Sequence, residues 1–218
     1  MVDYQAKKTI KTCLKSIQLD EVIVINNNKR NRGFAKAVNW GMRKAIRQGA
    51  EAIFLLNPDA RVTKGGLEDL MAKSADIVGA VIEDRNQREC GGVINWQWGR
   101  TEHLKCGLLG AEHLKIDFVS GCAMLIKRRV WEEIGFFDER FFMYYEDVDY
   151  CWRAQRAGLK IGVCEKVRIW HEIKAVRERT RWQNWQLVKS HWLFLRKYRL
   201  GLRPSFYWLA LTGKILIR

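Results

Sequence analysis

The sequence predicts an α/β fold, a mixed and mainly parallel sheet flanked by helices, on three observations. Apolar β-branched runs alternate with segments of helical periodicity, and polar Asn-rich loops follow the ends of two of those runs. The chain's 218 residues, 48% of them hydrophobic, suit one compact domain with a substantial core. Two prolines and no internal repeat exclude a disordered chain or a solenoid.

The elements follow in order. Ile10, Leu14 and Ile17 recur at helical spacing, and Glu21–Asn26 reads as a strand covered on both faces. After the polar loop Asn26–Gly33 comes a helical segment over 35–49 with a Gly stop, then a second buried strand over 52–56 that runs into the turn Asn57-Pro58-Asp59. A short helix over Gly65–Lys73 and a third strand over 76–82 follow. Residues 89–114 read as a long loop or hairpin region, and 118–126 resume a strand. Residues 127–135 form a helix that stops at Gly135, and acidic residues open another helix after Tyr145. Residues 160–172 read as two short strand-like pieces, with helices expected from Ala175 onward. Ligands of such sheets collect beyond the carboxyl ends of the strands, so the two Asn-rich loops are expected to be neighbours.

The formal charge of +15 is unevenly placed: residues 1–150 hold 23 Lys+Arg against 21 Asp+Glu, residues 151–218 hold 16 against three. A basic C-terminal third suits nucleic acid, anionic lipid or an anionic substrate. The six cysteines have neither CxxC nor zinc spacing and read as small buried side chains in a reducing compartment, hence the cytosol. The first 17 residues contain no signal-like apolar stretch, and no apolar run approaches the roughly 20 residues of a spanning helix.

Three places carry candidate chemistry. Asp59 sits in a turn whose residue types need no functional explanation, so it requires partners. Glu146, Asp147 and Asp149 fall within four residues beside Phe141, Phe142, Tyr144 and Tyr145. They read equally as an acidic first helical turn or as desolvated carboxylates with pKa values raised toward those of a general base. His171 ends an apolar run; with Asp59 it would suit Mg2+ or Mn2+ on a diphosphate, the substrate supplying further ligands. No P-loop and no GxGxxG are present, which leaves diphosphate binding mainly to metal.

Six collinear blocks, 31–41, 55–60, 117–128, 135–153, 157–161 and 168–171, resemble the family 2 glycosyltransferases, especially their rhamnosyltransferase-like branch, over roughly residues 1–200. The resemblance implies a GT-A (Rossmann-like) fold, a dTDP- or UDP-sugar donor, a glycan or lipid-linked acceptor, and inversion by one in-line displacement. Asp59 matches the metal-binding acid, the family's DxD standing here as Asn57-Pro58-Asp59, and His171 reaches the metal or diphosphate. Asp147 matches the base, and Glu146 the residue that orients acceptor or loop. Asn31, Gly33, Phe34 and Asn39 match the segment flanking the donor, and Gly121 the strand beneath the sugar. The family's first strand is truncated to Val2–Gln5, and Asn26 replaces its base-reading acid. Asp3 and Tyr4 become the candidates for the nucleotide base.

A catalytic domain over 1–174 and a basic, aromatic helical tail over 175–218 are expected. Trp182, Trp185, Val188, Trp192 and Leu195 form one apolar stripe, and residues 204–218 are apolar with basic edges. The stripe reads first as packing on the catalytic domain, while the 204–218 segment, with Trp and Tyr suited to a headgroup boundary, predicts peripheral attachment to an anionic membrane at the inner face of the cell membrane. A nucleic-acid module and a non-catalytic scaffold are the rival readings. The first leaves the Glu146–Asp147 carboxylates unexplained, since they repel phosphate, so no nucleic acid partner is expected.

Overall fold

A computed structural model describes residues 1–4, 6, 9–17, 21–85, 87–106, 115–172 and 179–200. The last apolar segment of the expected tail, 204–218, lies outside the described residues.

The main sheet runs β3 (Ala52–Leu56), β8 (Ala123–Lys127), β5 (Ile77–Glu83), β6 (Arg88–Asn95), β7 (Arg100–Lys105). β9 (Ile161–Trp170) lies along β5 and pairs also with β4 (Arg61–Lys64). A separate parallel ribbon joins β1 (Val2–Asp3) to β2 (Ile25–Asn26). The sheet is mixed, as expected, but antiparallel pairing dominates: among the described strands only β1–β2 and β5–β9 run parallel. For β5–β6 the cause is a tight turn after β5, where Asp84 N–H donates to Gln87 O at 3.1 Å and Gln87 N–H to the Asp84 carboxylate at 3.0 Å. A hairpin so closed makes its strands antiparallel, whereas a parallel neighbour would need a crossover. Residues 88–105 are thus the hairpin alternative of the sequence reading.

β5 is central because six of its seven residues are apolar or Gly and all six are buried. Its side chains alternate: Ile77 and Val81 enter one core, Val78, Ala80 and Ile82 the other. The first core is closed by α2 (Phe34–Arg47), α4 (Arg128–Ile134), α5 (Glu146–Arg156) and α6 (Arg181–Lys197), the second by α1 (Thr9–Ser16) and α3 (Leu67–Met71). The two pieces expected over 160–172 are one strand, β9, whose pairing with β5 skips from Cys164 to Arg168. That bulge accounts for the broken pattern in sequence.

Three further expectations are corrected. Of Glu21–Asn26 only Ile25–Asn26 is strand, and Val22 and Val24 are exposed. Beside them, between the β1–β2 ribbon, α2 and β3, lies an apolar cavity of about 370 Å³. Cys90 and Cys106 are disulfide-bonded, tying β6 to the end of β7, while Cys13, Cys122, Cys151 and Cys164 are buried thiols. Cysteine usage therefore gives no sign of a reducing compartment. On α6 the buried face is Gln186, Val188, Ser190, His191, Phe194 and Leu195, and Trp182, Trp185 and Trp192 face outward. Phe194 wins the interior because Trp96, Tyr145 and Tyr198 form a ring cluster around it.

α6 opens with a capping box, Thr180 and Gln183 each bonding the other's backbone N–H. Its far end is fastened by charge. Asp149, fully buried on α5, takes hydrogen bonds from Arg153 (3.0 Å) and the Tyr198 hydroxyl (2.8 Å) and pairs with Lys197, which also reaches Asp138 at 2.8 Å. A buried carboxylate so matched is costly to delete, because Arg153 then loses its carboxylate and Lys197 one of its two. Asp149→Ala is expected to destabilise the fold by about 3–5 kcal/mol in denaturant unfolding and to release the end of α6; a loss below about 1 kcal/mol would contradict this network.

Candidate active site

The carboxyl end of β3 and the start of β8 lie side by side. Leu56 pairs with Ala123, and Asn57 N–H donates to Cys122 O at 2.9 Å. The chain then turns, Ala60 N–H closing on Asn57 O at 3.1 Å, and presents Asp59 with 54% of its side chain exposed. One residue before Cys122, Gly121 donates its N–H to Asp147 Oδ2 at 2.9 Å. Asp59 and Asp147 are thus carried by segments hydrogen-bonded to adjacent residues of one strand end, although 88 positions separate them in the chain.

The electrostatics of the two carboxyls differ. Asp147 also accepts Val148 N–H at 2.9 Å, yet burial raises its pKa above the ordinary aspartate value, against the pull of those two N–H groups and of His103. Glu146 is buried, its Oε2 has no hydrogen-bond partner, and burial followed by repulsion from Asp147 lifts its pKa well up. Burial and the neighbouring Asp147 favour the neutral form of Glu146, whereas the Gly121 and Val148 N–H groups favour the carboxylate of Asp147. The third acid of the cluster, Asp149, serves α6 rather than the site.

His171 Nε2 stands 3.3 Å from Asp59 Oδ1, and its own N–H is anchored to Glu83 O at 3.0 Å. Burial disfavours its charge, but hydrogen bonds to Asp59 and Cys122 outweigh that and raise the imidazole pKa to about 10. A proton therefore occupies the place between oxygen and nitrogen that a cation could take. Adjacent ligands of one octahedral ion at about 2.1 Å lie about 3 Å apart, so the pair fits Mg2+ or Mn2+. Among the described residues no set of three or more His, Cys, Asp or Glu is arranged to hold a metal, which leaves the remaining positions to phosphate and water.

The donor-flanking residues divide. Gly33 and Phe34 meet the loop that precedes Glu146: Phe34 N–H donates to Phe142 O at 2.6 Å, and the Phe34 ring borders Gly121. Asn31 caps the loop, its Oδ1 accepting Gly33 N–H at 3.0 Å and Asn27 Nδ2 at 3.2 Å. Asn39 does not face a ligand. Its buried amide is consumed by Phe137 N–H, Phe137 O and Glu139, so it holds the 137–139 loop. Asn26 is exposed and turns onto Asn28 N–H. Asp3 holds Ala6 N–H and the Asn28 amide, and the Tyr4 ring is exposed.

Two contributors escaped sequence reasoning. Asn27, buried, bonds Arg32 N–H, Asn31 and Gly33 O, and so shapes the whole 27–33 loop. His103, from the hairpin, acts electrostatically on Asp147 in the direction that favours its carboxylate. The loop before Glu146 is also strained: Tyr144 and Tyr145 both adopt left-handed backbone, φ 70° and 65°. Such a corner persists only when its surroundings hold it. Here the Tyr145 ring stacks on His191 and Ser190 Oγ donates to Met143 O at 2.7 Å, both from α6.

The model of the family described as "Glycosyltransferase like family 2" matches residues 2–191. The chain is 28% identical over 200 residues to the low-salt glycan biosynthesis hexosyltransferase Agl10 of Haloferax volcanii, covering 78% of this chain and 65% of that protein. It is 25% identical over 177 residues to the dTDP-rhamnosyl transferase RfbF of Shigella flexneri (79% and 59% covered). It is 44% identical over 158 residues to an N-acetylglucosaminyl-diphospho-decaprenol L-rhamnosyltransferase of Mycobacterium tuberculosis (59% and 52% covered). The chain thus spans between about half and two thirds of the length of these relatives. The crystal structure of GalNAc-T7 with UDP, GalNAc and Mn2+ superposes with a TM-score of 0.59 at 14% identity, over 90% of this chain and 39% of that one. That likeness is one of fold, GT-A.

Gly33 is the contact most sensitive to a single atom. Its φ is +84°, and a Cβ there would lie 2.5 Å from Phe142 O. Gly33→Ala is expected to cost about 1–3 kcal/mol in thermal unfolding and to displace the loop that leads to Glu146; an unchanged melting temperature would refute the clamp.

Proposed function

The chain belongs to the family 2 glycosyltransferases, in their rhamnosyltransferase-like branch, and on that premise we propose that it moves a hexosyl or rhamnosyl group from a dTDP- or UDP-sugar to a hydroxyl of a glycan or lipid-linked acceptor. The observation that carries this reading is the attachment of two unlike carboxyls to one strand end: Asp147 through Gly121 N–H, and the Asp59 turn through Cys122 O.

Their difference fits a division of labour. Asp147 is half-buried, directed by two backbone N–H groups, and raised in pKa, as a general base for an alcohol should be. It takes the acceptor hydroxyl proton while the acceptor oxygen bonds to the anomeric carbon. The carbon–oxygen bond to the diphosphate breaks in the same displacement, its electron pair leaving with the phosphate and the configuration inverting. Asp59 and His171 would hold Mg2+ or Mn2+, which neutralises charge developing on the leaving diphosphate. Neutral Glu146 positions Asp147 and spares it a second negative charge. Phe34 and Gly121 border the sugar, and the Tyr4 ring offers a face for the base. The 1–174 segment forms the catalytic body, with 175–218 as its basic extension.

Membrane-linked acceptors place the enzyme peripherally at the cytoplasmic face of the membrane. No described helix is long and apolar enough to cross one.

Turnover of a nucleotide sugar, as transfer or slow hydrolysis, is expected to require Mg2+ or Mn2+. It should fall by about 10²–10⁴ in Asp147→Asn, comparably in Asp59→Ala, and by no more than about tenfold in Glu146→Gln. Activity indifferent to both aspartates would sink the assignment. The base must be ionised, and burial holds its proton on, so kcat/KM is expected to rise with pH and to lose its acid limb above the ordinary carboxylate range of about 4. An acid limb at or below that value in the pH profile would mean that Asp147 is not the base.

A further inference from the structure

We propose that the outward face of α6 is a docking surface for an anionic lipid bilayer, set so that the acceptor-side loop meets the headgroup layer. Trp182, Trp185, Lys189, Trp192 and Arg196 succeed one another at spacings of three, four, three and four, which puts them on one helical stripe. All five are exposed, the indoles to 44%, 56% and 49%. Large aromatics left outside a core that has room for Phe194 mark an interaction surface.

The chemistry of the stripe selects lipid. α6 contains no Asp or Glu, Lys189 stands between Trp185 and Trp192, and the Arg196 guanidinium lies over the Trp192 ring at 5.3 Å. Indole rings favour the boundary between acyl chain and headgroup, and neighbouring lysine and arginine meet lipid phosphate. A single convex helix face offers no groove to track a nucleic acid strand.

The placement gives the surface a purpose. Trp182 makes an edge contact with the Phe142 ring at 5.7 Å, and α6 supports the Met143–Tyr145 corner that leads to Glu146 and Asp147. A bilayer against this face lies beside the loop that carries the base. The inference deepens the reading of the acceptor as lipid-linked and rests on it.

The test is co-sedimentation of the full chain with vesicles of phosphatidylcholine alone or mixed equally with phosphatidylglycerol, with tryptophan emission read in parallel. The chain is expected to bind the anionic vesicles with a blue-shifted emission. Trp185→Ser with Trp192→Ser, neither of which touches the catalytic loop, is expected to weaken that binding about tenfold or more with an unchanged melting temperature. Lys189→Glu should weaken it selectively on anionic vesicles. Absence of vesicle binding, or undiminished binding by the double variant, overturns the proposal. So does a mixed-sequence oligonucleotide whose binding is lost in the double variant while vesicle binding is not. Metal-dependent nucleotide-sugar hydrolysis, measured without vesicles on the same proteins, is expected to be equal in both. Its absence from the parent chain would fail the glycosyltransferase reading and leave the docking result to stand or fall alone.

Discussion

Everything at the site depends on how the backbone of Gly121 and Cys122 spends its polar groups. The carbonyl of Cys122 closes the sheet onto Asn57, and the N–H of Gly121 leaves the sheet to bind the Asp147 carboxylate. A strand end must satisfy its last N–H and C=O groups somewhere, and here the partners are the two segments that bear acids. The same requirement that ends β8 therefore fixes Asp147 relative to the Asp59 turn. Gly121 also keeps the surface flat: a side chain there would meet Phe34 and Asp147.

Burial then sorts three acids of one helical turn into three roles. Asp149 is surrounded by Arg153, Lys197 and Tyr198, and binds α6 to α5. Asp147 has only backbone donors, which orient it without neutralising it. Glu146 has no partner for Oε2 and is driven toward its neutral form. The left-handed Tyr144–Tyr145 corner makes this sorting possible by turning the chain sharply into α5, and α6 offsets the strain with stacking and a hydrogen bond. Stability of the last helix and geometry of the base are accordingly linked through one short loop.

Much of this was legible before any coordinates. Alternating apolar runs marked β3, β5 and β8, and Gly135 marked the end of α4, because burial and backbone freedom write directly onto residue type. Asp59, Asp147 and His171 were picked out by residue type and order, and the sheet brings Asp59 to His171 and the Asp147 helix to the same strand end. What stayed hidden depends on pairing. The direction of β6 against β5 follows from the Asp84–Gln87 turn, which composition does not distinguish from a loop. The face of α6 could not be read, since Trp182, Trp185 and Trp192 have the periodicity of a core stripe while Phe194 and His191 take the interior. The start of that helix is set by the capping box of Thr180 and Gln183. Asn39 and Asn27 illustrate the limit of residue type: both are buried amides, and only their partners show that one braces a distant loop and the other shapes its own.

The two ends of the site are built with unequal rigidity, and that inequality has a consequence for binding. Around Asp59 and Asp147 the backbone belongs to a wide sheet, with β8 paired on both sides. At the other end, Asp3 and Asn26 sit on a ribbon of two residue pairs, separated from β3 by an apolar cavity, and their polar groups already bind one another's neighbours. On the proposed reading, a donor held at both ends would be positioned at the Asp59 end and accommodated at the ribbon end. Positioning precision belongs where bonds break, because misplacement by about 1 Å there can cost about 10² in rate, whereas a stacked base tolerates sliding on an exposed ring such as Tyr4. The short ribbon thus leaves the geometry of the chemical step in the hands of the strand end that the two aspartates share.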